Sequence, residues 1–168
     1  MTAEELLVRY GNGEREFSHA DLAQANLSLA CLNHIILKSA NLQAAVLHGI
    51  DLICANLAGA KLGQAKLIGA NLSGADLSQA NLQEALLSSA VLVGATLAKA
   101  NLRQVSLNYS NLAGANFRDA DLCQVNFKGA DLSGATLLGA RLQGTDLTEA
   151  ILRETILPDG SMVLTNEG

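Results

Sequence analysis

The chain has 168 residues and a formal net charge of −5, with 49% hydrophobic residues but only 3% aromatics and no Trp. Its core must therefore be built almost wholly from Leu, Ala, Ile and Val; charged residues interrupt every apolar run before it reaches 18 residues, which excludes a transmembrane helix. Acids and bases are interspersed, so the concentrated basic surface that direct nucleic-acid binding needs is absent.

At the N-terminus, Thr2-Ala3-Glu4-Glu5 reads as a capping box, with Thr as N-cap and Glu three residues later. It predicts a short helix through about Val8 or Arg9, ended by Gly11 and Gly13. The segment Met1 to Tyr10 has no apolar stretch of the kind a secretory signal carries, so a cytoplasmic location with no membrane partner is expected. Three cysteines, Cys31, Cys54 and Cys123, form an odd set without framework spacing, which predicts free thiols in a reducing compartment.

From Phe17 to Leu157 every fifth residue is Leu or Phe, through 29 consecutive occurrences without an insertion. Two residues earlier, 21 of 28 positions are Ala; between them, 15 of 28 are Asn or Asp. The unit is A(D/N)LXX, as in Ala70-Asn71-Leu72-Ser73-Gly74 followed by Ala75-Asp76-Leu77-Ser78-Gln79. A period of five suits neither regular element. On an α-helix the leucines would step by about 140° and scatter around the axis. In a continuous strand an odd spacing would send successive leucines to opposite faces. The chain must bend once per repeat, with Leu and the preceding Ala facing inward; Asn, Asp and the ten Gly residues at the fifth position are expected at the corners.

Over roughly residues 17–157 this array resembles the pentapeptide-repeat family. The resemblance implies an all-β fold, a right-handed quadrilateral parallel β-helix with four repeats per coil, so that residues 20 apart stack. The repeats then make about seven coils and a rod roughly 30 to 35 Å long. The expected organisation is an N-terminal cap over 1–16, the β-helix over 17–157, and a C-terminal turn and cap over 158–168. In the last segment Pro158-Asp159-Gly160 is the turn and Ser161-Met162-Val163-Leu164 folds back as a cover for the open end.

Catalytic chemistry finds little support. His34 and Cys54 occupy the same repeat position one coil apart, but a nucleophile or a metal site needs further groups that the repeat does not supply. Asp21, Asp51, Asp76, Asp121, Asp131 and Asp146 all stand where the repeat calls for Asp or Asn. Gly-rich steps such as Leu67-Ile68-Gly69 lack the lysine-serine/threonine ending of a phosphate loop. No catalytic residue, cofactor or metal is expected.

The outer surface remains. Stacking by 20 collects small, nearly uncharged residues on one side, and the candidate protein-contact face comprises Val91, Val93, Gly94, Ala113 and Ser133 there, with Leu86 on the adjoining side. The opposite side carries Lys61, Glu84, Arg103, Asp121 and Arg141, a solvated mixture of signs. The expected function is a non-enzymatic structural or protein–protein interaction module, its partner an unidentified protein or a second copy. The alternative that the family resemblance implies is a DNA mimic that binds DNA gyrase or another topoisomerase through a strongly negative rod.

Overall fold

A computed structural model describes residues 1–164. Residues 17–156 form a right-handed β-helix solenoid in which every bridge is parallel and joins residues 20 apart, from Glu16 to Ile36 through Thr136 to Ile156. Each winding holds four repeats, and seven windings of twenty fill 17–156. The rod has four sides, one per repeat, which we number from the one that begins at Asp21.

The backbone bonding of one repeat explains the sequence rule. Val91 N–H donates back to Ala70 O at 2.9 Å, while Leu92 and Gly94 N–H donate forward to Asn111 and Ala113 O at 2.7 and 2.9 Å. Ala95 N–H closes the corner onto Leu92 O at 3.0 Å. Only the amide of the fourth residue lacks a backbone acceptor. In fourteen repeats the Asn or Asp at the second position supplies it: Asn71 Oδ1 accepts from Ser73 N–H at 3.2 Å, and Asp131 Oδ1 from Ser133 N–H at 2.9 Å.

This corrects the corner assignment. The bend itself lies at the fifth position, where eighteen non-Gly residues hold φ between +54° and +62° alongside the ten glycines. An L-residue there costs on the order of 1 kcal/mol, a strain the flanking ladder bonds overcome. Asn and Asp stand one step outside the corner, because a side-chain carbonyl two residues upstream is what the stranded amide needs.

Inside, the third-position residues from Leu22 to Leu137 are no more than 2% exposed, and each buried Leu contributes roughly 1.5–3 kcal/mol. Phe117 and Phe127 meet edge to face with ring centroids 5.9 Å apart. Where Ala gives way to a hydroxyl, the hydroxyl is satisfied: Ser110 Oγ donates to Leu107 O at 2.5 Å and Thr155 Oγ1 to Leu132 O at 2.8 Å.

Helix α1 (Ala3–Gly11) closes the N-terminal end, with Leu6 fully buried. Thr2 caps it, accepting from Glu5 N–H at 3.1 Å. The helix runs two residues beyond the expected Arg9, because Arg9 bonds both Glu5 and Glu14 and Asn12 N–H still reaches Val8 O at 3.0 Å. At the other end, β1 (Thr155–Ile156) pairs antiparallel with β2 (Met162–Val163) across the Pro158–Gly160 turn. The final part of the expected C-terminal cap, 165–168, lies outside the described residues.

Candidate functional site

The third side carries the strip singled out from the sequence. Gly94 N–H donates to Ala113 O and Gly114 N–H to Ser133 O at 2.8 Å, so Val93, Ala113 and Ser133 occupy one column in successive windings. Val93 is 39% exposed, Val91 is half-buried, and Leu86, also 39% exposed, stands around the corner on the second side. A Cβ on Gly94 or Gly114 would meet nothing within 4 Å. These glycines leave the strip open rather than serve packing.

Of the second side, sequence reasoning found only Leu86. Leu29 at 82% exposure, Ile68 at 42% and Tyr109 at 58% share it with Leu86 and the half-buried Val46, one apolar residue per winding over five windings. The Leu29 side chain lies against Gly49, and the Tyr109 ring covers Gly129 so closely that a Cβ there would fall 2.6 Å from the ring. These residues are separated in sequence by uneven intervals and alternate among repeat positions, so only folding the sequence modulo 20 reveals them.

His34 and Cys54 do not form a site. His34 N–H bonds Ile53 O, and the Cys54 thiol leans the other way, 3.3 Å from where a Cβ on Gly74 would stand. Among the described residues no three His, Cys, Asp or Glu groups converge as a metal site would require. Cys31, Cys54 and Cys123 are free thiols. No helix among the described residues is long and apolar enough to cross a membrane.

The first side is ionic. Asp121 Oδ2 accepts from Arg103 Nη1 at 3.2 Å and from Arg141 Nη1 at 3.3 Å, linking three windings, while Oδ1 accepts from Cys123 N–H at 3.1 Å. Partial burial pushes the Asp121 carboxyl up, but the Cys123 hydrogen bonds and the two arginines outweigh it and hold the group below the usual carboxylate range. Nearer the N-terminus, Lys61, Gly63, Gln64 and Glu84 border an open polar depression of about 240 Å³. Gln64 Nε2 donates to Glu84 across it at 2.9 Å.

The family model of pentapeptide repeats matches in eight copies, over stretches that run from 30–67 through to 115–153. The chain is a pentapeptide-repeat protein. Among solved structures, this pentapeptide-repeat protein is similar to HetL, involved in heterocyst differentiation regulation in the cyanobacterium Nostoc sp. strain PCC 7120. Identity is 30% over 97% of this chain and 100% of HetL, with a TM-score of 0.40. It is similar in fold to trypsin-treated QnrB1, a plasmid-mediated fluoroquinolone resistance protein, at 17% identity over 84% of this chain and 76% of that one, with a TM-score of 0.52. A pentapeptide-repeat protein of the Arabidopsis thaliana thylakoid lumen matches at 28% identity over 66% of this chain and 70% of its own, with a TM-score of 0.48. No curated protein matches the sequence.

Proposed function

We propose that this pentapeptide-repeat protein is a non-enzymatic interaction module that engages a protein partner, or a second copy, through the strip of Leu86, Val91, Val93, Gly94, Ala113 and Ser133. The observation that carries the reading is the contrast between sides: the third presents small and apolar residues around Val93, whereas the opposite first side carries the Arg103–Asp121–Arg141 network. The interior is filled by the Leu and Ala ladder, which leaves the outer surface to act. The three free thiols suit a reducing compartment, and the reading places the protein in the cytoplasm.

Val93→Asp tests it. The fourth position already accepts Ser133 and Arg103, so the substitution leaves the fold intact. Capture of the partner, or the dimer mass by light scattering, should fall sharply; a variant that binds and assembles like the parent removes the strip from consideration.

The DNA-mimic reading meets an electrostatic obstacle. B-DNA carries one charge per roughly 1.7 Å, so a rod of about 30 Å would need on the order of 18 net negatives. Residues 16–157 hold eleven acids against nine bases, and Lys61, Lys66, Lys99, Arg103, Lys128, Arg141 and Arg153 interrupt the acidic columns. DNA gyrase supercoiling should therefore be unchanged by the protein, and inhibition or protection would favour the mimic.

A further inference from the structure

The second side departs from the chain's own rule. Asn26, Asn126 and Asp146 brace the fourth-position amide there, but in the four windings between them the second position is Val46, Lys66, Leu86 and Ser106. The amides of His48, Ile68, Ser88 and Asn108 receive no such bond among the described residues. On the other three sides no two successive windings among the described residues leave that amide without a side-chain acceptor, since Ile53 N–H reaches Asn33 Oδ1 at 2.8 Å and Leu138 N–H reaches Thr136 Oγ1 at 3.4 Å. Four consecutive braces are thus given up where Ile68, Leu86 and Tyr109 are exposed, in the windings that follow Leu29, and departures from otherwise consistent local rules are expected at functional positions.

We infer that this apolar stripe is a docking surface for an amphipathic α-helix of a partner protein that carries acidic residues beside its apolar face. The inference rests on the interaction-module reading and names the partner's chemistry. An extended peptide has no sheet edge to extend, because the ladder bonds run between windings along the rod. A helix does fit. The stripe from Leu29 to Tyr109 spans four inter-winding steps, about 19 Å at 4.8 Å each, which corresponds to roughly 13 residues of helix. The helical pitch of about 5.4 Å drifts by only some 0.6 Å per winding, so one apolar residue per turn meets one per winding.

Charge decides the occupant. Lys66 sits mid-stripe with no ion-pair partner among the described residues, and the second side holds no carboxylate before Asp146 and Glu149, four windings on. A two-fold pairing of rods that brought those acids to Lys66 would leave Leu29 and Val46 outside the contact. An acidic helix meets Lys66 directly.

The test uses the full chain and two labelled 14-residue helical peptides with the same Leu stripe, one flanked by Glu and one by Lys, read by fluorescence anisotropy. The Glu peptide should bind, at least tenfold more weakly to Ile68→Asp, and Lys66→Glu should reverse the preference in favour of the Lys peptide. Val93→Asp should leave the Glu peptide unaffected. Equal binding of both peptides to the parent, or no loss in Ile68→Asp, overturns the proposal, as does a parent dimer in light scattering that Ile68→Asp dissolves. Circular dichroism melts confirm that each variant is folded. If the natural partner is lost with Val93→Asp but not with Ile68→Asp, the stripe falls while the interaction-module reading stands.

Discussion

Lys66→Asn should stabilise the protein although it removes a charge and fills no cavity. Lys66 is exposed and has no ion-pair partner among the described residues, so little packing is lost. An Asn at this second position places Oδ1 where Asn71 and Asn111 hold theirs, 3.2 and 3.1 Å from the fourth-position nitrogen, and gives the Ile68 amide its missing acceptor. One such bond is worth about 0.5–1.5 kcal/mol net, and water access at Ile68 puts the gain at the lower end. At about 2–4 °C per kcal/mol for a chain of this size, the melting temperature should rise by roughly 1–3 °C. The mirror substitution Asn111→Lys removes the brace on Ala113 and should lower it by a similar amount. The sites lie two windings apart on adjoining sides, so the double variant should melt close to the parent. Urea denaturation followed by circular dichroism measures all three. If Lys66→Asn is neutral or destabilising while Asn111→Lys is harmless, the brace is not what selects Asn and Asp in this repeat, and the inference drawn from its loss on the second side weakens with it.

Three further outcomes follow from the same structure. Leu92→Ala, in the middle of a fully buried ladder, should cost about 2–5 kcal/mol, with faster hydrogen exchange in the adjoining windings before the ends. Gly129→Ala should displace the Tyr109 ring, which lies where the new methyl must go, and change tyrosine fluorescence; Gly94→Ala, with open space around it, should not. Asp121 is held below its ordinary value against the pull of burial, while Thr148 and Ser161 hydrogen bonds hold Asp146 and Asp159 down. Because these folded-state values lie below the unfolded value of about 3.9, the stability they contribute is present in full above that pH and lost as pH falls through the folded values. The melting temperature should stay flat from neutrality to about pH 4.5 and decline below, less steeply in Asp121→Asn.

The ladder was legible because Leu and Ala recur without a single slip, and a period of five admits only a chain that bends once per repeat. That four repeats close a winding is not contained in the period; it came from family resemblance, and the bridges between residues 20 apart express it. The role of Asn and Asp was misread because composition cannot tell a residue at a bend from one that bonds the amide entering it. Eighteen non-Gly residues at positive φ show that this ladder tolerates almost any side chain at its corners. The strip at Val91 and Val93 was visible because Val93, Ala113 and Ser133 hold the same repeat position at intervals of 20. The second-side stripe was not, since Leu29 and Tyr109 occupy the fifth position, Ile68 the fourth, and Val46 and Leu86 the second. Only the winding puts them on one side.

The central claim is that function here depends on which residues share a side of the rod. Insertion tests it most directly. One Ala-Asn-Leu-Ser-Gly repeat placed after Gly74 keeps the ladder but turns every later residue by one side, separating Leu86 and Tyr109 from Leu29 and Ile68; four such repeats restore the alignment with one extra winding. Both variants should melt cooperatively like the parent, while the Glu-flanked helical peptide is lost by the first and retained, more weakly, by the second. Equal binding to both variants would contradict the account.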